Sequence, residues 1–274
     1  MTALDRSVAI GPLALSLGQL VLVFALAVAI VTGALIGRRQ RIGVSDTLFT
    51  VVFVALVGAR LVFIVRYWDS YDSLWAMLDI RDRGFDPWGG LAAALVYCGW
   101  RLWRTPCQRR ALSAALLAGA LTWAGAVYAL VKLDEDGHSA LPKTSLMTID
   151  GAATDLPALQ DDQPLVVNLW ASWCPPCRRE MPLLADTQQR RDDVTFVFVN
   201  QGEARQVIRH YLDDESLDLD NVLRDETLAL GEHVGVKAMP TTLFYDADGR
   251  LVDTHFGELS QATLKHALSR LTPP

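Results

Sequence analysis

Four cysteines in 274 residues are too few to staple a chain of this length as a disulfide scaffold. There is a single Cys-x-x-Cys segment, and the five histidines (His138, His210, His233, His255 and His266) stand apart from one another. The ligand spacing of a zinc site is therefore missing. No phosphate-binding glycine loop or dinucleotide fingerprint occurs, which disfavours a flavin- or nicotinamide-dependent reductase, and no cofactor is implied. Positive charge is also short. Lys and Arg number 25 against 31 Asp and Glu, for a formal net charge of −6. Without a basic, aromatic-bearing stripe, this balance argues against a nucleic-acid partner.

The longest gap is in charge itself. From Val8 to Ile36 no side chain is charged. Its core, Leu20 to Val31, is too long and too apolar for a helix that buries only one stripe. A secretory signal would carry basic residues ahead of such a run and a cleavage site behind it. Here Arg38, Arg39 and Arg41 follow the run, so it reads as a retained membrane span with its N-terminus outside. Further spans are expected at Thr47–Val65 (carrying Arg60), Trp88–Trp103 and Ala111–Val131. The third is the shortest, with Arg101 near its end able to snorkel. Basic residues cluster between spans one and two and, as Arg101, Arg104, Arg109 and Arg110, between spans three and four. The loop 67–87 instead holds Asp69, Asp72, Asp79, Asp82 and Asp86 against Arg81 and Arg83. By the positive-inside rule both basic loops lie in the cytoplasm, and four spans return the chain to the outside after Val131.

What the second half has is Leu165-Val166-Val167-Asn168-Leu169-Trp170, an apolar run that reads as a buried strand, followed by Ala171-Ser172-Trp173-Cys174-Pro175-Pro176-Cys177. Two thiols at a helix start can close into a disulfide and open again. Free N–H groups in a first helical turn favour Cys174 as a thiolate, although Pro175 and Pro176 remove two of them. A second apolar strand is expected at Val194–Val199. A helix bearing Val207, Ile208 and Tyr211 on one face should follow, then a short strand within Leu217–Leu223 and a helix over Thr227–His233. After Met239-Pro240-Thr241 come a strand, a turn at Asp246–Gly249, another strand ending at His255-Phe256, and a helix over Gln261–Leu271. Parallel strands with crossover helices ending in an antiparallel hairpin make an α/β fold.

The stretch Trp170-Ala171-Ser172-Trp173-Cys174-Pro175-Pro176-Cys177, with Arg178, Arg179, Glu180, Met181 and Pro182 behind it, resembles the active site of the thioredoxin superfamily, most of all its membrane-tethered TlpA/ResA/CcmG-like branch. The likeness runs from about Leu146 to Leu271. It implies thiol–disulfide chemistry outside the cytoplasm. Cys174 would exchange with substrate and Cys177 would resolve the mixed disulfide. Trp173 would shield the pair and offer an apolar contact, while Trp170 packs in the core. Met239-Pro240 is similar to the family's cis-proline loop, which leaves the Met239 backbone free to pair with an extended substrate. Pro182 would kink the active-site helix. Where cytosolic thioredoxins usually bury an aspartate, this chain has Asn168, which cannot shuttle a proton. Glu180 is open to two readings: a solvated surface carboxylate, or a residue that tunes the thiols.

Gly58-Ala59-Arg60, with Trp88-Gly89-Gly90-Leu91 downstream, resembles the early part of the prolipoprotein diacylglyceryl transferase family over residues 12–103. Trp88 stands where that family supplies a histidine, and the family's later membrane helices are missing. Two readings of Arg60 follow: a bundle-facing or snorkelling side chain beside small packing residues, or a remnant lipid or partner site. Cys98 and Cys107 are about 13 Å apart by helical rise, too far for a disulfide, so they read as bystanders.

The expected architecture is an α-helical membrane bundle of four spans (residues 1–131), a linker (132–145) and an α/β thioredoxin-like domain (146–274). The expected function is that of a thiol–disulfide oxidoreductase in the bacterial inner membrane with its C-terminal domain in the periplasm. It would act as a disulfide reductase on periplasmic protein thiols and disulfides and be recharged by a separate membrane electron transporter, with membrane lipid around it. A periplasmic dithiol oxidase is the alternative within the same chemistry. A non-catalytic envelope scaffold or lipid-binding protein is the alternative from another class.

Overall fold

A computed structural model describes residues 7–10, 13–40, 43–133, 141–236 and 238–271. Two compact units divide the chain, Leu17–Asp134 and a second made of Met1–Ser16 with Glu135–Pro274. Half of the expected linker, 134–140, lies outside the described residues, as does Arg41. The end of that linker is not a free tether. Pro142 is buried, and Leu141 packs against one core of the C-terminal unit.

The uncharged N-terminal run does not begin as a helix. Ser7–Ile10 (β1) pairs antiparallel with Leu13–Ser16 (β2), and the helix starts only at Leu17. Gly11-Pro12 separates the strands in sequence, and a proline inside a helix would remove a hydrogen bond and clash with the preceding turn. The first span is therefore shorter than the uncharged run.

Four long helices follow: α1 (Leu17–Gln40), α2 (Ser45–Arg66), α4 (Pro87–Arg104) and α5 (Arg109–Leu133), with the short α3 (Leu74–Leu78) between α2 and α4. Three of them, α1, α2 and α5, are long and apolar enough to cross a membrane. The expected third span, α4, is a helix of 18 residues that falls short of that measure. Large apolar side chains such as Leu22, Phe24, Phe53, Leu61, Leu95, Val96 and Leu121 face outward, as lipid-facing positions do.

Small residues bring the helices together in two antiparallel pairs. A Cβ on Gly89 would come within 2.5 Å of Val62, one on Gly58 would collide with Ala93, and one on Gly90 would lie 3.0 Å from the Ala55 carbonyl oxygen. At the far end of this pair Arg101 Nη2 donates to Thr47 Oγ1 at 2.8 Å. Contacts thus run the length of α2 and α4. In the other pair a Cβ on Gly33 would meet that of Ala115 at 3.2 Å, and one on Gly119 would meet that of Ala29 at 3.1 Å. As residue numbers rise along α1 they fall along α5.

The C-terminal unit is built on a seven-stranded sheet in the order β4-β3-β7-β6-β5-β8-β9. Its strands are β3 (Leu146–Thr148), β4 (Ala153–Thr154), β5 (Leu165–Trp170), β6 (Thr195–Gln201), β7 (Val222–Asp225), β8 (Thr241–Tyr245) and β9 (Leu251–Phe256). β5, β6 and β7 run parallel and the outer strands antiparallel. Helices α6 (Pro175–Arg190) and α7 (Arg205–Asp214) make the parallel crossovers. The short α8 (Ala229–His233) leads toward β8, and α9 (Gln261–Leu271) ends the fold.

Every residue of β5 is buried, as a strand covered on both faces must be. Val166 and Trp170 face one core with Cys177, Met181 and Leu184 of α6, while Leu165, Val167 and Leu169 face the other. Two expectations shift in detail. The extra strand is β7, at Val222–Asp225 rather than within Leu217–Leu223. Val207 is exposed although Ile208 and Tyr211 are buried.

Candidate active site

Cys174 caps α6 and is joined to Cys177 as a disulfide with an S–S distance of 2.17 Å and Cα atoms 5.3 Å apart. Pro175 and Pro176 occupy the first helical positions and carry no N–H. The first donor of the helix is therefore the Cys177 amide, which points at Cys174 Sγ from 3.3 Å. That donor favours negative charge on Cys174 once the disulfide opens. Both cysteines are buried, Cys174 at 3% exposure and Cys177 at 0%. The exchanging Cys174 is thus barely more exposed than the resolving Cys177. The preceding Trp173 is 65% exposed, whereas Trp170 is fully buried with its ring centroid 5.3 Å from that of Tyr211.

The Met239–Pro240 peptide is cis. The β8 ladder begins at Thr241, opposite Leu169 on one side and Phe256 on the other, so Met239 stands ahead of the paired strand. Met239 is half-buried and packs against the same core cluster that contains Cys174 and Cys177. Pro240 is buried, and its carbonyl oxygen accepts from the Gly257 amide at 2.9 Å. The active-site helix continues through Pro182.

Glu180 corrects the surface reading. It is 1% exposed, on the buried stripe of α6 that also carries Cys177, Met181, Leu184 and Ala185. One carboxyl oxygen accepts from Asn168 Nδ2 at 2.8 Å and the other from the Leu259 amide at 2.8 Å. Asn168 Nδ2 also donates to Thr242 Oγ1 at 3.0 Å. Burial pushes the Glu180 carboxyl up to about 8 against the pull of those two hydrogen bonds, with the nearby Glu258 charge adding to the rise. A buried acid that holds its proton at neutral pH thus lies on the inner face of the disulfide helix, bonded to the very asparagine that occupies the usual aspartate position. Two signals pointed to it: its spacing of three from Cys177, and a polar side chain inside an otherwise apolar strand, which demands a partner.

Residues 178 and 179 are held by surface ion pairs. Arg178 pairs with Glu215 and lies 5.2 Å above the Tyr211 ring, and Arg179 Nε donates to Glu258 at 2.8 Å.

Sequence reasoning missed Glu203. Its carboxylate receives the Ser172 amide at 2.7 Å, the Ser172 hydroxyl at 2.5 Å and Asn200 Nδ2 at 2.6 Å. No local pattern marks it, because the contact spans 31 residues.

In the N-terminal unit Arg60 is buried and points into the protein. Its guanidinium donates to the carbonyl oxygens of Met77 (3.0 Å), Asp79 (2.6 Å) and Gly84 (2.8 Å) and to the Asp82 carboxylate (3.0 Å). It organises the loop 67–86, and Trp88 beyond that loop is 75% exposed. Cys98 is buried and Cys107 exposed, and both are free.

Residues 135–269 match the Redoxin family, and residues 6–127 match the Prolipoprotein diacylglyceryl transferase family. The chain is 25% identical over 130 residues to the thiol-disulfide oxidoreductase ResA of Halalkalibacterium halodurans, covering 47% of this chain and 73% of that protein. It is 29% identical over 128 residues to the thiol:disulfide interchange protein DsbE of Pseudomonas fluorescens biotype C, covering 47% and 71% respectively. Among solved structures, that of MTB dsbF in its mixed oxidized and reduced forms is 26% identical, covering 48% of this chain and all of that one with a TM-score of 0.45. Both resemblances read from the motifs, thioredoxin-like in the second half and transferase-like in the first, are matched by these families.

Proposed function

We propose that this thiol–disulfide oxidoreductase of the ResA/DsbE kind is anchored in the bacterial inner membrane and works in the periplasm as a disulfide reductase. One observation carries the chemistry: a Cys174–Cys177 disulfide at a helix start, with a protonated buried acid on the same helix. In the reduced protein the Cys174 thiolate attacks a sulfur of the substrate disulfide and expels one substrate thiolate. Cys177, as a thiolate, then attacks Cys174 Sγ and releases the second. The substrate gains two electrons, and the protein is left as the disulfide. In the reduced protein Glu180 is the carboxylate, and it takes up the proton that Cys177 loses, which leaves it protonated once the disulfide has formed. When a dithiol donor later attacks Cys174, Glu180 returns that proton to the departing Cys177 sulfur. Trp173, next to Cys174, and the Met239 backbone, ahead of the β8 ladder, are the contacts offered to an extended partner.

The helix pairing supports four spans. α4 has 18 residues, about 27 Å of helix, close to the roughly 30 Å hydrocarbon thickness. It lies antiparallel along α2, from Gly89 beside Val62 to Arg101 beside Thr47. A partner that matches a spanning helix along its length crosses with it. The antiparallel pairing of α1 with α5 points the same way, because with only α1, α2 and α5 crossing, α1 and α5 would run parallel. Four crossings with basic loops inside put the C-terminal unit outside the cytoplasm, where disulfides persist and a dithiol needs a dedicated electron supply. A membrane electron transporter is the partner this implies, and lipid surrounds the outward apolar faces.

The test is the state of Cys174 and Cys177 in intact cells, trapped by acid and read by alkylation, together with the potential of the full chain in detergent. A reduced pair with a potential well below about −180 mV supports the reductase. An oxidised pair near about −120 mV would make the protein a dithiol oxidase. A cellular role that survives Cys174→Ala would make it a scaffold.

A further inference from the structure

The carboxylate of Glu203 binds both polar groups of Ser172, two residues before Cys174. Ser172 offers its amide to Oε2 at 2.7 Å and its hydroxyl to Oε1 at 2.5 Å. The carboxylate is in turn fixed to the sheet. Asn200, fully buried at the end of β6 opposite Trp170, donates Nδ2 to Oε2 at 2.6 Å and accepts the Glu203 amide at 3.3 Å. The intervening Gly202 has φ +79° and donates its amide to the Asp225 carbonyl oxygen at 3.0 Å. A left-handed glycine thus turns the chain back so that Glu203 faces the loop after β5. Beyond Ser172 that loop holds itself by one bond, the Cys174 amide to the Ala171 carbonyl oxygen at 3.2 Å.

All three donors to Glu203 are neutral, so the hydrogen bonds hold its charge without cancelling it. A carboxylate near a thiol opposes the thiolate, and opposition to the thiolate destabilises the reduced form of the pair. Charge-assisted hydrogen bonds of this length are also the strong ones, and two of them converge on a single residue of the active-site loop.

We propose that Glu203 is a positioning residue for the Cys174–Cys177 exchange. It latches Ser172 so that Trp173 and Cys174 are held in register with the sheet, and its charge keeps the pair reducing. This rests on the exchange chemistry proposed above, and wild-type exchange with glutathione tests that separately. The balanced reaction is protein dithiol plus glutathione disulfide giving protein disulfide plus two glutathione thiols.

The experiment compares wild type, Glu203→Gln and Ser172→Ala as full chains in detergent, with the oxidised fraction read on the Cys174–Cys177 peptide across glutathione ratios. Glu203→Gln should lower the equilibrium constant for forming the protein disulfide at least threefold, about 14 mV toward the oxidising side. Ser172→Ala keeps the charge and removes one tie. It should slow exchange several-fold while leaving that constant within twofold. A Glu203→Gln constant equal to or above wild type overturns the charge role, and an unchanged Ser172→Ala rate overturns the latch. If Glu203→Gln does not fold, the Ser172→Ala rate and constant decide alone: a changed constant or an unchanged rate overturns the proposal. Failure of wild type to exchange at all would instead count against the oxidoreductase chemistry itself.

Discussion

Glu180 shows how burial turns an ordinary carboxyl into a proton store. Enclosed by β5 and α6 and satisfied by Asn168 and Leu259, it retains a proton up to about pH 8, where an unfolded chain would release it near 4.5. Between those values the folded state binds the extra proton, so stability falls as pH rises and the full contribution is present only below about 4.5. At roughly 1.36 kcal/mol per unit the ceiling is about 5 kcal/mol. Glu180→Gln should flatten this slope, measured as hydrogen-exchange protection of β5 and α6 amides in the oxidised full chain between pH 5 and 9. An unaltered slope would assign it to other groups. The same substitution should slow disulfide opening without changing the sulfur geometry, because the leaving Cys177 loses its proton donor. Glu180 was half legible in sequence. Its helical spacing from Cys177 put it on the buried face, but its proximity to Asn168 depends on how α6 lies across β5.

At the scale of elements, small residues set how closely helices approach. Gly58 and Gly89 sit where any Cβ would strike the neighbouring helix, whereas a Cβ on Gly99 of the same α4 meets nothing within 4 Å. Gly58→Leu should separate α2 from α4 and destabilise the full chain in detergent by several degrees. Gly99→Ala should be neutral or stabilising by up to about 1 kcal/mol, the usual helical gain over glycine. Equal effects of the two substitutions would show that the seam does not hold the pair. The loop 67–86 is a related case. Arg60 gathers four of its carbonyl oxygens, those of Ala76, Met77, Asp79 and Gly84, and Asp82 around one guanidinium, so Arg60→Ala should open that loop to protease while leaving the C-terminal unit's exchange chemistry intact. The sequence marked Gly58, Ala59 and Arg60 as unusual but could not choose between packing, snorkelling and a lipid site. The distant carbonyl groups that satisfy the side chain decide it.

At the scale of the molecule, the proposed four crossings would put Cys107, which is exposed and free, on the cytoplasmic side between α4 and α5. A membrane-impermeant maleimide should therefore leave Cys107 unlabelled in intact spheroplasts and label it in inverted vesicles. After reduction, Cys174 should show the opposite pattern. The reverse pattern, Cys107 labelled in intact spheroplasts and Cys174 only in inverted vesicles, would mean that α4 does not cross, and the proposed compartment would fall with it.

Local chemistry determined much of this protein from sequence alone. Uncharged runs longer than a buried stripe requires, basic loops alternating with an acidic one, a Cys-x-x-Cys after a buried strand and a proline ahead of another are all written in neighbouring residues. So were the helix over Gln261–Leu271 and the turn at Asp246–Gly249. The break at Leu17 was legible only as Gly11-Pro12, which the uncharged run concealed. Tertiary structure alone decided the contacts between residues far apart in the chain. It buried Glu180 against Asn168 and turned Glu203 onto Ser172 across 31 residues. It closed Arg60 into its own loop and packed α1 against α5. The physical reason is common to them all. Spacing reports which face of an element a residue occupies, whereas the charge it holds and the bonds it makes depend on what the fold sets opposite that face.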